Sequence, residues 1–213
     1  MVRFEKQTGI IIFVFFLVGS AGIIIPRTHQ LFLSLFPFAL ILSLFLILLY
    51  HKPRIDGLTL LSLLIIGVAG FFIEVAGIKT HFIFGNYSYG NSLGFKIFDT
   101  PVLIGVNWIL LVYATGSVSA RLSNNSLVTI LTASLLMVLY DILLEQTAGH
   151  LDMWHWKSNI VPFRNYFSWF IIAVVFHSFL KWRGVKTNSP LAFPVLISQI
   201  VFFLILFLYY III

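Results

Sequence analysis

The chain of 213 residues contains no cysteine and only 9% charged residues, 13 Lys+Arg against 7 Asp+Glu. The missing cysteine excludes disulfides, thiolate metal sites and a cysteine nucleophile. The missing charge excludes more. A soluble domain carries roughly 25% charged residues and roughly 45–50% apolar ones. Here 60% of the chain is hydrophobic and the mean hydropathy is +1.05. So few charges cannot cover a water-facing globule of this size, which rules out a soluble enzyme or a disordered chain. G-x-G-x-x-G, P-loop and aspartate-rich diphosphate motifs are also missing, so no redox cofactor or nucleotide is expected. The formal net charge of +6 reads as loop lysines and arginines that orient a membrane protein, not as a nucleic-acid surface.

What is present is a series of apolar runs, each near the roughly 20 residues that cross the hydrocarbon of a bilayer. Seven stand out: Gly9 to Ile25, Leu31 to Tyr50, Leu58 to Gly77, Pro101 to Ser119, Ser126 to Gln146, Phe163 to Trp182, and Pro190 to Ile213. Breaks fall at Pro26-Arg27, at His51 to Arg54, at Arg121 to Asn125 and at Lys181 to Ser189. None of the runs alternates with the period of two that barrel strands require, so helices are expected. The reading is an all-α polytopic membrane protein: a bundle of about seven transmembrane helices in a single integral-membrane domain over residues 1–213. The first run has the basic start of a secretion signal, but six more follow, so it is expected to stay as a helix. With the N-terminus inside, the inner segments carry Arg3, Lys6, Lys52, Arg54, Arg121, Lys181, Arg183 and Lys186. The outer ones carry Arg27, Lys79, Lys96, Lys157 and Arg164. That balance favours the N-terminus inside; the expected location is a bacterial cytoplasmic membrane.

Acids gather on one side. With alternating spans, the two long connections, Gly77 to Pro101 and Gln146 to Phe163, share a membrane face. Glu74 lies about one turn before the first of them, and Asp141 and Glu145 lie in the last turns before the second. At 1.5 Å per residue, Glu74 and Asp141 come to similar depths. Glu74, Asp99, Asp141, Glu145 and Asp152 therefore occupy one half of the bundle, leaving only Glu5 and Asp56 elsewhere. Asp141 and Glu145, spaced i, i+4, share a helix face. Carboxylates inside a span cost free energy in lipid, so both are expected to face an interior polar cavity. Structural roles compete: Glu145 in the headgroup region, Glu74 paired with Lys79 or His81, the tryptophans and tyrosines as an interfacial belt. His150, Asp152 and His155 fit a hydrated loop better than a metal site, and no metal is assigned. His177 reads as a hydrogen-bonded interior histidine.

Two stretches go beyond composition. One runs Glu74-Val-Ala-Gly-Ile-Lys-Thr-His81-Phe-Ile-Phe-Gly85-Asn-Tyr87-Ser-Tyr89, followed by Pro101 and Asn107-Trp108. The other is Tyr140-Asp141-Ile-Leu-Leu-Glu145, then Trp154-His-Trp156, Pro162, Asn165-Tyr166 and Trp169. Together, over roughly Leu58 to Phe170, the chain resembles the membrane-embedded carotenoid biosynthesis family, whose characterised members include bisanhydrobacterioruberin hydratase. The family often has Asp followed by Pro where this chain has Glu145 and Gln146.

The resemblance implies addition of water to the terminal 1,2 double bond of an acyclic carotenoid that enters from the lipid phase. That step needs an acid, a base, an ordered water and walls that tolerate a cation. Asp141 and Glu145 suit a carboxyl pair sharing one proton, with Asp141 the acid because it lies deeper. Glu74 is the candidate base or water-positioning group. Asn107 can orient a water. Trp108, Tyr87 and Tyr89, with Trp154 and Trp156 outside them, offer aromatic faces to a cation. His81 and Asp99 complete the candidate water- and substrate-binding set. Three rivals are weighed: a proton-coupled transporter, a lycopene-type cyclase that starts with the same protonation, and a retinal protein. The last is excluded because Leu191 to Ile213 holds no lysine for a Schiff base.

Overall fold

The computed structural model describes residues 2–212, the side chains of Val2 and Arg3 excepted. It contains seven helices: α1 (Val2–Ile24), α2 (His29–Leu49), α3 (Gly57–Thr80), α4 (Leu103–Ser119), α5 (Ser126–Ala148), α6 (Phe163–Trp182) and α7 (Ala192–Ile212). Six are long and apolar enough to cross a membrane. The exception is α4, with 17 residues. Its expected start at Pro101 is corrected to Leu103, because Pro101 pairs with Lys96 in a short strand. The shortness has a physical counterpart: α4 packs against α2, α3, α5, α6 and α7, and most of its side chains are buried. Enclosed by protein, it does not need the length that lipid contact demands. The outer helices show the reverse, with exposed Phe13, Leu35, Phe45, Leu64, Leu135 and Leu204 facing outward. An apolar surface of that extent is stable only against hydrocarbon. The chain is an integral membrane protein.

Local chemistry sets the helix ends. The Asp56 carboxylate accepts the Thr59 N–H at 2.8 Å and so caps α3. His81 ends that helix in the left-handed region, φ 55°, its N–H returning to the Gly77 carbonyl. Asn125 starts α5, its side-chain oxygen accepting from Leu127 and Val128.

Between the helices lie strands that an all-helical reading does not anticipate: β1 (Tyr87–Tyr89), β2 (Lys96–Ile97), β3 (Thr100–Pro101) and β4 (Trp154–Trp156). The two long connections meet as antiparallel partners, with Tyr87 opposite Trp156, Ser88 opposite His155 and Tyr89 opposite Trp154. Side chains alternate along a strand, so Tyr87, Tyr89, Trp154 and Trp156 turn inward while Ser88 and His155 stay exposed. Asp152 fastens this cap. One carboxylate oxygen accepts the Asn91 N–H at 2.9 Å and the other meets His155 at 3.0 Å. Those bonds, with that from His155 the largest, hold the Asp152 carboxyl below its ordinary value. Gly90 passes so close that a Cβ there would lie 2.2 Å from the Asp152 carbonyl oxygen, so glycine is required at that crossing.

Candidate active site

Glu74 comes from α3, Asn107 and Trp108 from α4, Asp141 and Glu145 from α5, Asn165 and Trp169 from α6, and the strand cap closes over them. These side chains line one cavity together with Tyr87, Tyr89, Trp154 and Trp156. Its volume is about 20 Å³, enough for one ordered water. Glu74 and Asp141 are both buried. The arrangement answers the cost of carboxyl groups in a membrane span, because donors from the loops reach in to meet them.

Glu74 accepts three hydrogen bonds. Tyr87 Oη and Tyr89 Oη donate to its Oε2 at 2.6 and 2.9 Å, and Trp108 Nε1 donates to its Oε1 at 3.3 Å. Burial, and then the charge of Glu74, push both phenols well above their ordinary value. The tyrosines therefore remain donors across the accessible pH range. Glu145 is held in the same manner. Trp154 Nε1 and Trp156 Nε1 donate to its Oε2 at 3.0 and 2.8 Å, and Asn165 Nδ2 donates to its Oε1 at 3.3 Å. Thus β1 serves one carboxyl group and β4 the other, and the pairing of the strands fixes their relative placement.

Asp141 differs. Asn165 Nδ2 donates to its Oδ2 at 2.9 Å, while its Oδ1 is buried and has no partner among the described residues. Asn165 thus bridges Asp141 and Glu145. Aromatic faces surround the group: Trp108 stacks on Trp169 with centroids 4.2 Å apart, and Tyr87 lies 5.0 Å from Trp156.

Two candidates fall outside the cavity. His81 is exposed at the end of α3, where its carbonyl accepts from Arg164 Nη2 at 3.0 Å. Asp99 is 74% exposed and pairs with Lys79 at 2.7 Å, which lowers its carboxyl from the ordinary value. Lys79 therefore serves Asp99 and leaves Glu74 to the aromatic donors. His150 stacks flat on Tyr210, 4.2 Å between centroids, while His155 meets Asp152 at 3.0 Å. Among the described residues no three acidic or histidine side chains converge as a metal site. Asn165 and Trp169 were not among the sequence candidates. Their i, i+4 spacing in the first turns of α6, next to the acid-rich connection, is the signal that places both on the inner face.

The chain matches a family model described as "Carotenoid biosynthesis protein" over residues 35–213. The chain belongs to this family. Every residue lining the cavity lies within the matched region. No curated protein and no solved structure matches the chain. Within a carotenoid biosynthesis protein, a lipid-embedded cavity of carboxyl groups and aromatic rings fits a substrate that lives in hydrocarbon.

Proposed function

We propose that this carotenoid biosynthesis protein is a hydratase that adds water to the terminal 1,2 double bond of an acyclic carotenoid end. The observation that carries the proposal is the unpartnered Oδ1 of Asp141. Glu74 and Glu145 each receive three N–H or O–H donors, a pattern that suits carboxylates. Asp141 receives one, and its free oxygen is where a proton sits and from which it is given.

The chemistry follows from an alkene that has no leaving group and no polar handle. The Asp141 proton is transferred to C2 and the π pair forms the new C–H bond, leaving a tertiary cation at C1. A water, oriented by Asn107 in the cavity, attacks C1 through its oxygen. Its surplus proton passes to Glu74 and returns to Asp141 through the cavity water, so the balance is one water added and no electrons moved. The faces of Trp108, Trp169, Tyr87 and Trp156 stabilise the cation through their ring quadrupoles.

The cavity holds a water but not an isoprenoid end, so the substrate end enters when the aromatic walls part. Ile104, Asn107 and Trp154 also line a neighbouring apolar cavity with Phe36, Leu144 and Phe203, a suitable direction for the polyene. Against conduction of protons through the bundle stands the packing of Trp108 on Trp169 and edge-on to Phe176 at 5.5 Å.

Expression in a host that makes linear carotenoids is expected to give a pigment heavier by the mass of one water. A product of unchanged mass would mean cyclisation, which begins with the same protonation, and would overturn the hydratase reading.

A further inference from the structure

A second cavity, about 420 Å³, opens at the other end of the bundle. It lies among the end of α4, the start of α5, the end of α6 and the segment leading to α7, on the membrane face opposite the carboxyl cluster. Arg121, Lys181 and Lys186 line it, and among the described residues no acidic side chain does. Lysines near helix ends are common at a membrane face, so the cations alone do not define a site.

His177 supplies the second observation. It lines the cavity from α6, five residues before Trp182, so at 1.5 Å per residue it sits about 8 Å inside the helix end. It is only 6% exposed. Its Nε2 lies 3.3 Å from Thr115 Oγ1, and that hydroxyl already donates to the Leu111 carbonyl at 2.7 Å. Nε2 must therefore carry the hydrogen, which leaves Nδ1 of the neutral ring as an acceptor. No protein group bonds that Nδ1 among the described residues. The floor of a cationic cavity thus presents, from a mostly buried ring, one lone pair without a protein donor among the described residues.

We infer that this cavity binds a phosphate ester that also bears a hydroxyl group. Arg121, Lys181 and Lys186 hold the phosphate oxygens through charge-assisted hydrogen bonds, and His177 Nδ1 accepts from the hydroxyl. The volume exceeds what inorganic phosphate fills, leaving room for the hydroxylated portion. Both a soluble glycerol phosphate and the headgroup of phosphatidylglycerol have this chemistry. No residue is shared with the carboxyl cluster, so the inference stands apart from the proposed hydration.

The test measures binding by the purified full chain, in detergent for glycerol 3-phosphate and inorganic phosphate, and in nanodiscs of phosphatidylglycerol or phosphatidylcholine. Saturable binding of glycerol 3-phosphate identifies a soluble ester as the ligand; retention of phosphatidylglycerol alone identifies the headgroup. In either case Lys181→Gln with Lys186→Gln, both exposed positions, is expected to weaken binding about tenfold or more. His177→Phe removes the acceptor and is expected to erase the preference for the hydroxylated ester over inorganic phosphate. Should that variant not fold, the lysine pair decides. Failure of both hydroxylated ligands to bind, or unchanged binding in the lysine double variant, would overturn the inference.

Discussion

Asp141→Asn is expected to abolish product formation while the protein still inserts and folds. The substitution keeps the shape of the side chain and an oxygen to accept from Asn165, but it removes the proton. General acid catalysis by a positioned group contributes typically 10²–10⁴-fold, and an isolated alkene leaves no other route to the cation. Product per inserted protein should therefore fall by about that factor. Glu145→Gln retains an oxygen that can accept from Trp154 and Trp156, so its loss should be smaller. Its cost arises from the pairing with Asp141 through Asn165. The check is pigment analysis of cells expressing each variant, with membrane-inserted protein quantified alongside. Normal turnover by Asp141→Asn would remove Asp141 from the mechanism.

Gly105→Ala is expected to damage the same activity from outside the cavity. A Cβ at Gly105 would lie 2.7 Å from the Gly67 carbonyl oxygen and 3.4 Å from its carbonyl carbon, so the backbones of α3 and α4 touch there and the two nearest atoms are backbone that cannot swing aside. Small residues at membrane helix interfaces allow such approach. Gly67, Gly70 and Glu74 follow one another along the same face of α3, and Trp108 of α4 occupies the space over Gly70. Separating the helices would draw Glu74 away from Trp108 and from the cavity it shares with Asp141. Overpacking costs about 1–3 kcal/mol, and a displacement of about 1 Å at reacting groups can cost about 10²-fold in rate. Gly57→Ala is the control, because nothing lies within 4 Å of a Cβ there. A lowered melting temperature with turnover reduced about tenfold to a hundredfold is expected for Gly105→Ala, and neither change for Gly57→Ala. Wild-type behaviour at Gly105 would mean that the close contact does not position Glu74.

Much of this site can be read from residue order alone, and the reasons are physical. Membrane spans are written as long apolar runs, so the parity of the connections places the two long loops on one face before any coordinates exist. The i, i+4 spacing of Asp141 and Glu145 and the depth of Glu74 then follow from the rise of a helix. What escaped depends on contacts between distant segments. Three-residue strands have too little pattern to reveal that Tyr87 pairs with Trp156, yet that register delivers two phenols to Glu74 and two indoles to Glu145. The choice of Lys79 for Asp99, and of Asn165 as the bridge between two acids, is likewise a matter of tertiary placement. Hydropathy alone also treats α4 as one more lipid-facing span, although its burial by five neighbouring helices makes it the short central post on which Trp108 is mounted.

The most direct measurement supplies the purified protein with a linear carotenoid in water labelled with heavy oxygen, oxygen gas excluded, and weighs the pigment recovered. The account predicts a tertiary alcohol carrying the label in wild-type product and none from Asp141→Asn. An isomer without added oxygen, or an equal yield of labelled alcohol from the Asn variant, would contradict it.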